Sequence, residues 1–143
     1  MMGDTEQVPL FADLVYSEDG EMARLVNIGG VPHYAIPHAG FLRHVEADGV
    51  DLQIVALLQE RFRAMRDVIT EGVIHLLGEE NLFTRAAIDH AIDNLDQILS
   101  GSGVDTTELR TALWMMKFRA VVDVHGNVVR LDTPGWDEGG DET

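Results

Sequence analysis

Near Val50 the apolar residues change their spacing, and that change restricts the fold more than any other feature of the chain. Upstream, short runs rich in Val, Ile, Phe and Tyr are separated by turn residues, as strands are. Downstream, Val55, Leu58, Phe62, Met65, Ile69, Gly72 and Leu76 follow one another in steps of three and four, the period of a helix seam. Strands followed by helices, without alternation between the two, predict an α+β architecture and exclude a doubly wound parallel sheet.

The N-terminal part reads as an antiparallel β-meander of about four strands. Val8 to Tyr16 and Met22 to Ile28 flank the turn Ser17-Glu18-Asp19-Gly20. Setting Tyr16 against Glu21 brings Asp13 opposite Arg24, an opposite-charge cross-strand pair. After Gly29-Gly30, Val31 to Ile36 and Phe41 to Glu46 flank Pro37-His38-Ala39-Gly40. Pairing Ile36 with Phe41 sets His33 opposite His44, and Pro32, which has no N–H, places its strand at an edge or at its own beginning.

Three α-helices follow. The first, residues 50 to 77, spans about 40 Å at ~1.5 Å per residue, more than a compact domain of this size needs. Gly78-Glu79-Glu80-Asn81 separates it from a second helix, residues 82 to 99, striped by Ala87, Ile88, Ala91, Ile92, Leu95, Ile98 and Leu99 and stopped by Gly101. Asp105-Thr106-Thr107-Glu108 has the spacing of a capping box for a third helix that ends near Lys117 and buries Leu109, Leu113 and Met116. Phe118 to Val124 and Val128 to Asp132, around His125-Gly126-Asn127, predict a C-terminal β-hairpin that extends the N-terminal sheet. Residues 1–132 thus form a single α+β domain, and residues 133–143 an acidic, Gly-rich tail with Trp136 as its one anchor.

The chemistry is narrowed mainly by elimination. With 25 acidic against 10 basic side chains the formal net charge is −15, so a nucleic acid backbone or an anionic membrane is repelled. There is no cysteine, which excludes disulfides, thiolate catalysis and Cys-ligated metals. No Gly-x-Ser-x-Gly elbow and no Walker lysine pattern occurs, and Lys117 is the only lysine a Schiff base could use. Gly101-Ser102-Gly103 follows a helix, not a strand, and reads as a linker. An acidic N-terminus without a basic, apolar leader, and the lack of an apolar run near ~18 residues, lead to the expectation of a soluble, cytoplasmic protein.

Two clusters suggest metal chemistry. His33, His44 and Glu46, with His38 at the turn, offer imidazole and carboxylate ligands for zinc or a similar ion. Asp89, Asp93 and Asp96 share a helical face beside His90 and could hold a hard cation, although a solvated acidic face has the same pattern. Glu71, His75 and Glu79 repeat that ambiguity, and Arg61, Arg63 and Arg66 spread around their helix to pair with acids. No cofactor is implied.

The leading expectation is a non-catalytic interaction or accessory subunit that binds a protein partner or itself. Phe62, Met65, Ile69 and Trp136 are its candidate interface residues, and Trp114-Met115-Met116 an adaptable apolar patch. The alternatives are a metal-dependent enzyme using His33, His44 and Glu46, and a small-molecule sensor with a pocket between sheet and helices.

Overall fold

The computed structural model describes residues 8–78, 82–100 and 106–136. Its elements run β1 (Val15–Ser17), β2 (Arg24–Ile28), β3 (Val31–His38), β4 (Phe41–Glu46), α1 (Ala47–Ala64), α2 (Arg66–Leu77), α3 (Leu82–Asp93), α4 (Leu95–Ser100), α5 (Thr107–Met115), β5 (Arg119–Val122) and β6 (Val128–Asp132). The class is α+β, with an N-terminal antiparallel meander and a C-terminal hairpin. Two compact units divide the chain: residues up to Ile54 together with those from Asp105 onward, and Val55–Val104.

In the first unit the strands form two sheets of three. One is the meander β2-β3-β4 and the other has the order β1-β5-β6, with β1 parallel to β5. The expected fourth strand of the meander therefore belongs elsewhere, as does the C-terminal hairpin. Val15 faces Ala120 and Ser17 faces Val122, while a single bridge, Tyr16 to Met22, is what exists of the expected first hairpin. Burial explains the choice: Phe11, Leu14, Val15, Phe118, Ala120 and Val122 are all at most 1% exposed, so β1 gains more cover beside β5 than it would at the end of the meander. Asp13, at φ 71°, sits in the turn before β1, and the expected Asp13–Arg24 pairing does not form.

The meander differs from the expected register by two residues. Ala39 and Gly40 both have positive φ, 51° and 83°, which makes a two-residue turn that closes His38 against Phe41. His33 consequently faces Glu46, and Ala35 faces His44. Pro32 and Pro37 lie near the two ends of β3, so this central strand keeps its interior donors.

The first turns of α1 close this unit. Ala47, Val50, Asp51 and Ile54 recur at helical spacing and are buried. On the next face Gln53 pins the C-terminal hairpin, its Nε2 donating to Gly126 O (2.9 Å) and its Oε1 accepting from Val128 N–H (2.8 Å). The hairpin's own turn is held by Asp123, whose Oδ1 accepts from the N–H groups of His125 and Asn127 at 2.9 Å. Of the expected third-helix core, Leu113 is buried, Leu109 half-buried and Met116 46% exposed.

The second unit is helical, and both long helices expected there are interrupted. Met65, with φ −107° and ψ 19°, separates α1 from α2 and leaves Phe62 and Ile69 on different helices. Asn94 separates α3 from α4, where its side-chain Nδ2 donates to His90 O at 2.9 Å and competes for the carbonyl its own N–H uses. Gly78 ends α2 in the left-handed conformation that a glycine adopts freely, its N–H returning to Ile74 O at 2.9 Å. The capping residue Asp105, the stop at Gly101 and the tail from Asp137 lie outside the described residues.

Candidate functional site

At the end of α5 the chain turns into β5 through a Schellman motif. The Phe118 N–H donates to Leu113 O (2.9 Å), the Lys117 N–H donates to Trp114 O (3.0 Å), and Leu113 and Phe118 are buried. The residue between them must adopt positive φ, a place glycine normally takes. Here Lys117 holds it at φ 64°, at a cost of about 1 kcal/mol for a residue with a Cβ.

This turn forms one wall of a groove of about 690 Å³, within the usual range for small-molecule sites. Phe118 is its floor, stacked on Trp136 at 6.0 Å and tilted against Phe11 at 6.3 Å. Trp114 and Met115, 62% and 69% exposed, form the apolar lip. The Arg119 guanidinium lies 4.3 Å from the centre of the Tyr16 ring, a cation–π contact between two residues that line the groove. Asp132 also borders the groove, with its Oδ1 taken by Arg130 Nε at 2.8 Å. A smaller hollow, about 300 Å³, adjoins Asp13, Arg110 and the other side of Trp114, with Arg110 turned back onto Thr106 Oγ1 at 3.0 Å.

In the interior of the same unit Asp51 is 6% exposed and doubly engaged. Tyr34 donates to its Oδ1 at 2.7 Å and the Leu10 N–H to its Oδ2 at 3.1 Å, so one carboxylate ties the N-terminal segment and β3 to α1. Burial pushes its pKa up to about 6, against the lowering effect of those two donors, and burial with the adjacent carboxylate raises the Tyr34 phenol as well.

The second unit presents a different surface. Arg66 donates to Asp89 Oδ1 (2.9 Å) and Asp93 Oδ1 (2.8 Å), Arg63 adds a pair to Asp93 (3.5 Å), and Arg85 meets Glu71 (3.7 Å). The start of α2 thus lies against the end of α3, and the helices are antiparallel. Bonding to Arg66 holds the Asp93 carboxyl below its ordinary range. At the opposite end of this pair Leu76, Leu77, Leu82 and Phe83 are 83%, 59%, 79% and 86% exposed.

The residues singled out from the sequence are distributed as follows. His33, His44 and Glu46 share one face of the β3–β4 pair, with His33 opposite Glu46 and His33 Nδ1 2.8 Å from Val31 O. Among the described residues no group of three or more His, Asp or Glu side chains is placed to hold a metal ion. Two of the three helix-face aspartates, Asp89 and Asp93, are paired with arginine, in line with the expectation that Arg63 and Arg66 pair with acids. His75 is exposed, Phe62, Met65 and Ile69 are half-buried, and half-buried Trp136 packs on Phe118. No helix among the described residues is long and apolar enough to cross a membrane.

Sequence reasoning missed the juxtaposition of Tyr16, Lys117 and Arg119, the buried Asp51, and the apolar end of α2 and α3. Only the last had a local signal: two adjacent apolar pairs, Leu76-Leu77 and Leu82-Phe83, stand on either side of one short polar linker. Comparison with protein-family models, with curated proteins and with solved structures finds no match.

Proposed function

We propose that this chain is a non-catalytic interaction subunit that pairs with a second copy of itself through the end of the α2–α3 helix pair. The observation that carries the reading is the exposure of Leu76, Leu77, Leu82 and Phe83 together. Incomplete burial nearby supports it. Among the described residues of the second unit, only Val55, Leu58, Thr70 and Ile92 are buried, a thin core for a unit of paired helices.

Summed charge opposes a like partner less over the second unit than over the first. Arg61, Arg63, Arg66 and Arg85 offset half of the acidic residues of Val55–Val104, whereas most of the chain's acidic excess belongs to the first unit. Two copies approaching by their helix pairs therefore meet the least mutual repulsion. In a two-fold arrangement each exposed side chain is used twice, and a four-helix layer would cover the apolar ends.

Native mass spectrometry together with light scattering at about 50 µM tests the reading. A two-chain mass is expected for the unaltered protein and a one-chain mass for Leu76→Glu/Phe83→Glu, with unchanged circular dichroism. Removing two apolar anchors worth about 1.5 kcal/mol each weakens pairing at least about hundredfold. A single-chain mass for the unaltered protein, or a two-chain mass kept by the double variant, refutes self-pairing at this surface.

A further inference from the structure

We propose that the groove beneath Trp114 binds a small amphipathic anion, an apolar or aromatic body carrying one carboxylate. This inference rests on the first unit alone and is independent of self-pairing. Of the described basic side chains Arg24, Arg43, Arg110, Lys117 and Arg119 have no carboxylate within 4.0 Å, and of these Lys117 and Arg119 border this groove. Arg63, Arg66, Arg85 and Arg130 each reach a carboxylate within 4.0 Å, in a protein where acids outnumber bases 25 to 10. Lys117 and Arg119 border the groove without such a carboxylate among the described residues, although Asp132 stands on the same rim. Arg130 takes the Asp132 oxygen instead, which leaves the Lys117 ammonium and the Arg119 donors available to an incoming anion.

The arginine head is also held in place. Arg119 Cζ lies over the Tyr16 ring, 4.3 Å from its centre, a cation–π contact that holds the guanidinium on the rim, where its fork of N–H donors suits bidentate pairing with a carboxylate. Lys117 is fixed at φ 64° where glycine would relieve the backbone. A positive charge at a helix C-terminus favours the helix dipole, by a fraction of a kcal/mol on an exposed surface, which does not exceed the conformational cost. Phe118 below and exposed Trp114 and Met115 above supply the apolar walls that a bare inorganic ion would not need.

The test is a titration of the ¹⁵N-labelled full chain with indole-3-acetate, its neutral amide indole-3-acetamide, and inorganic phosphate. Indole-3-acetate is expected to shift the amides of residues 114–119 and 16, and to bind at least about tenfold more tightly than either of the others, the loss of one charge-assisted hydrogen bond. Arg119→Gln should raise Kd about tenfold. Lys117→Gly should raise Kd similarly while raising Tm, because it removes the strain and the charge together; a purely structural lysine would change Tm alone. Equal binding of the amide, equal binding of phosphate, no shift at 114–119 up to millimolar indole-3-acetate, or an unchanged Kd in Lys117→Gly each overturns the proposal. So does a shift of those amides on Asp137→Asn/Glu138→Gln without any response to indole-3-acetate, which would give the groove to the chain's own acidic end.

Discussion

Asp51→Asn separates the titration of the buried carboxylate from its hydrogen bonding. In the folded chain burial lifts the Asp51 pKa from 3.8 to about 6, so between these values the folded state holds a proton that the unfolded state has released. Stability from this group is therefore highest below the unfolded pKa and falls as pH rises toward and through the folded one. A shift of this size corresponds to about 3 kcal/mol between the two limits, a little under half of it between about pH 5 and pH 7. Asparagine keeps an oxygen for the Tyr34 hydroxyl but cannot titrate and cannot accept from the Leu10 N–H with its amide nitrogen. Urea unfolding of both proteins at several pH values, with linear extrapolation, gives the difference in stability at each pH. The native protein should lose ground to Asp51→Asn by about 1 kcal/mol or slightly more from pH 5 to pH 7. The difference is the proper readout because Asp123, held low by the Asn127 and His125 N–H groups, contributes with the opposite sign, its stabilisation being lost as pH falls. A difference that is flat, or that rises with pH, would refute the assignment of a buried, partly protonated Asp51.

Further variants test the packing. Gly126→Ala should lower stability by about 1 to 2 kcal/mol, since φ there is +85° and a Cβ would stand 3.1 Å from the Val45 side chain; chemical denaturation measures it. Gln53→Ala removes both anchors of the C-terminal hairpin and should cost about 1 to 3 kcal/mol, with faster amide exchange at Val128; unchanged exchange would contradict the clamp. Tyr34→Phe removes the donor that favours the charged carboxylate, so the pH window of Asp51 should move to higher pH in the same urea series.

The parts of the fold legible in the sequence are those decided by neighbours along the chain. The class, the order of strands and helices, the C-terminal hairpin and the glycine at Gly78 follow from periodicity and from which residues tolerate positive φ. Errors begin where a second segment decides. The two-residue turn at Ala39-Gly40 is a local conformation with a remote consequence, since it shifts His33 from His44 to Glu46. The long apolar seam gives no sign of its break, because Met65 is a good helix former and neither Pro nor Gly marks the point. The candidate groove was least legible: Tyr16, Lys117 and Arg119 come together only because β1 pairs in parallel with a strand more than a hundred residues away.

By itself, then, the sequence determined the α+β class, the order of helical and extended segments and a strongly acidic net charge. These depend on dihedral preferences, hydrophobic period and summed charge, which act over a few residues or over all of them at once. Tertiary structure decided which strands share a sheet, that Asp51 is buried while Leu76 and Phe83 are not, and that Lys117 and Arg119 meet at an aromatic groove. Those outcomes depend on the burial gained when distant segments meet, weighed against the entropy of closing the chain between them, and no window of local sequence contains that balance.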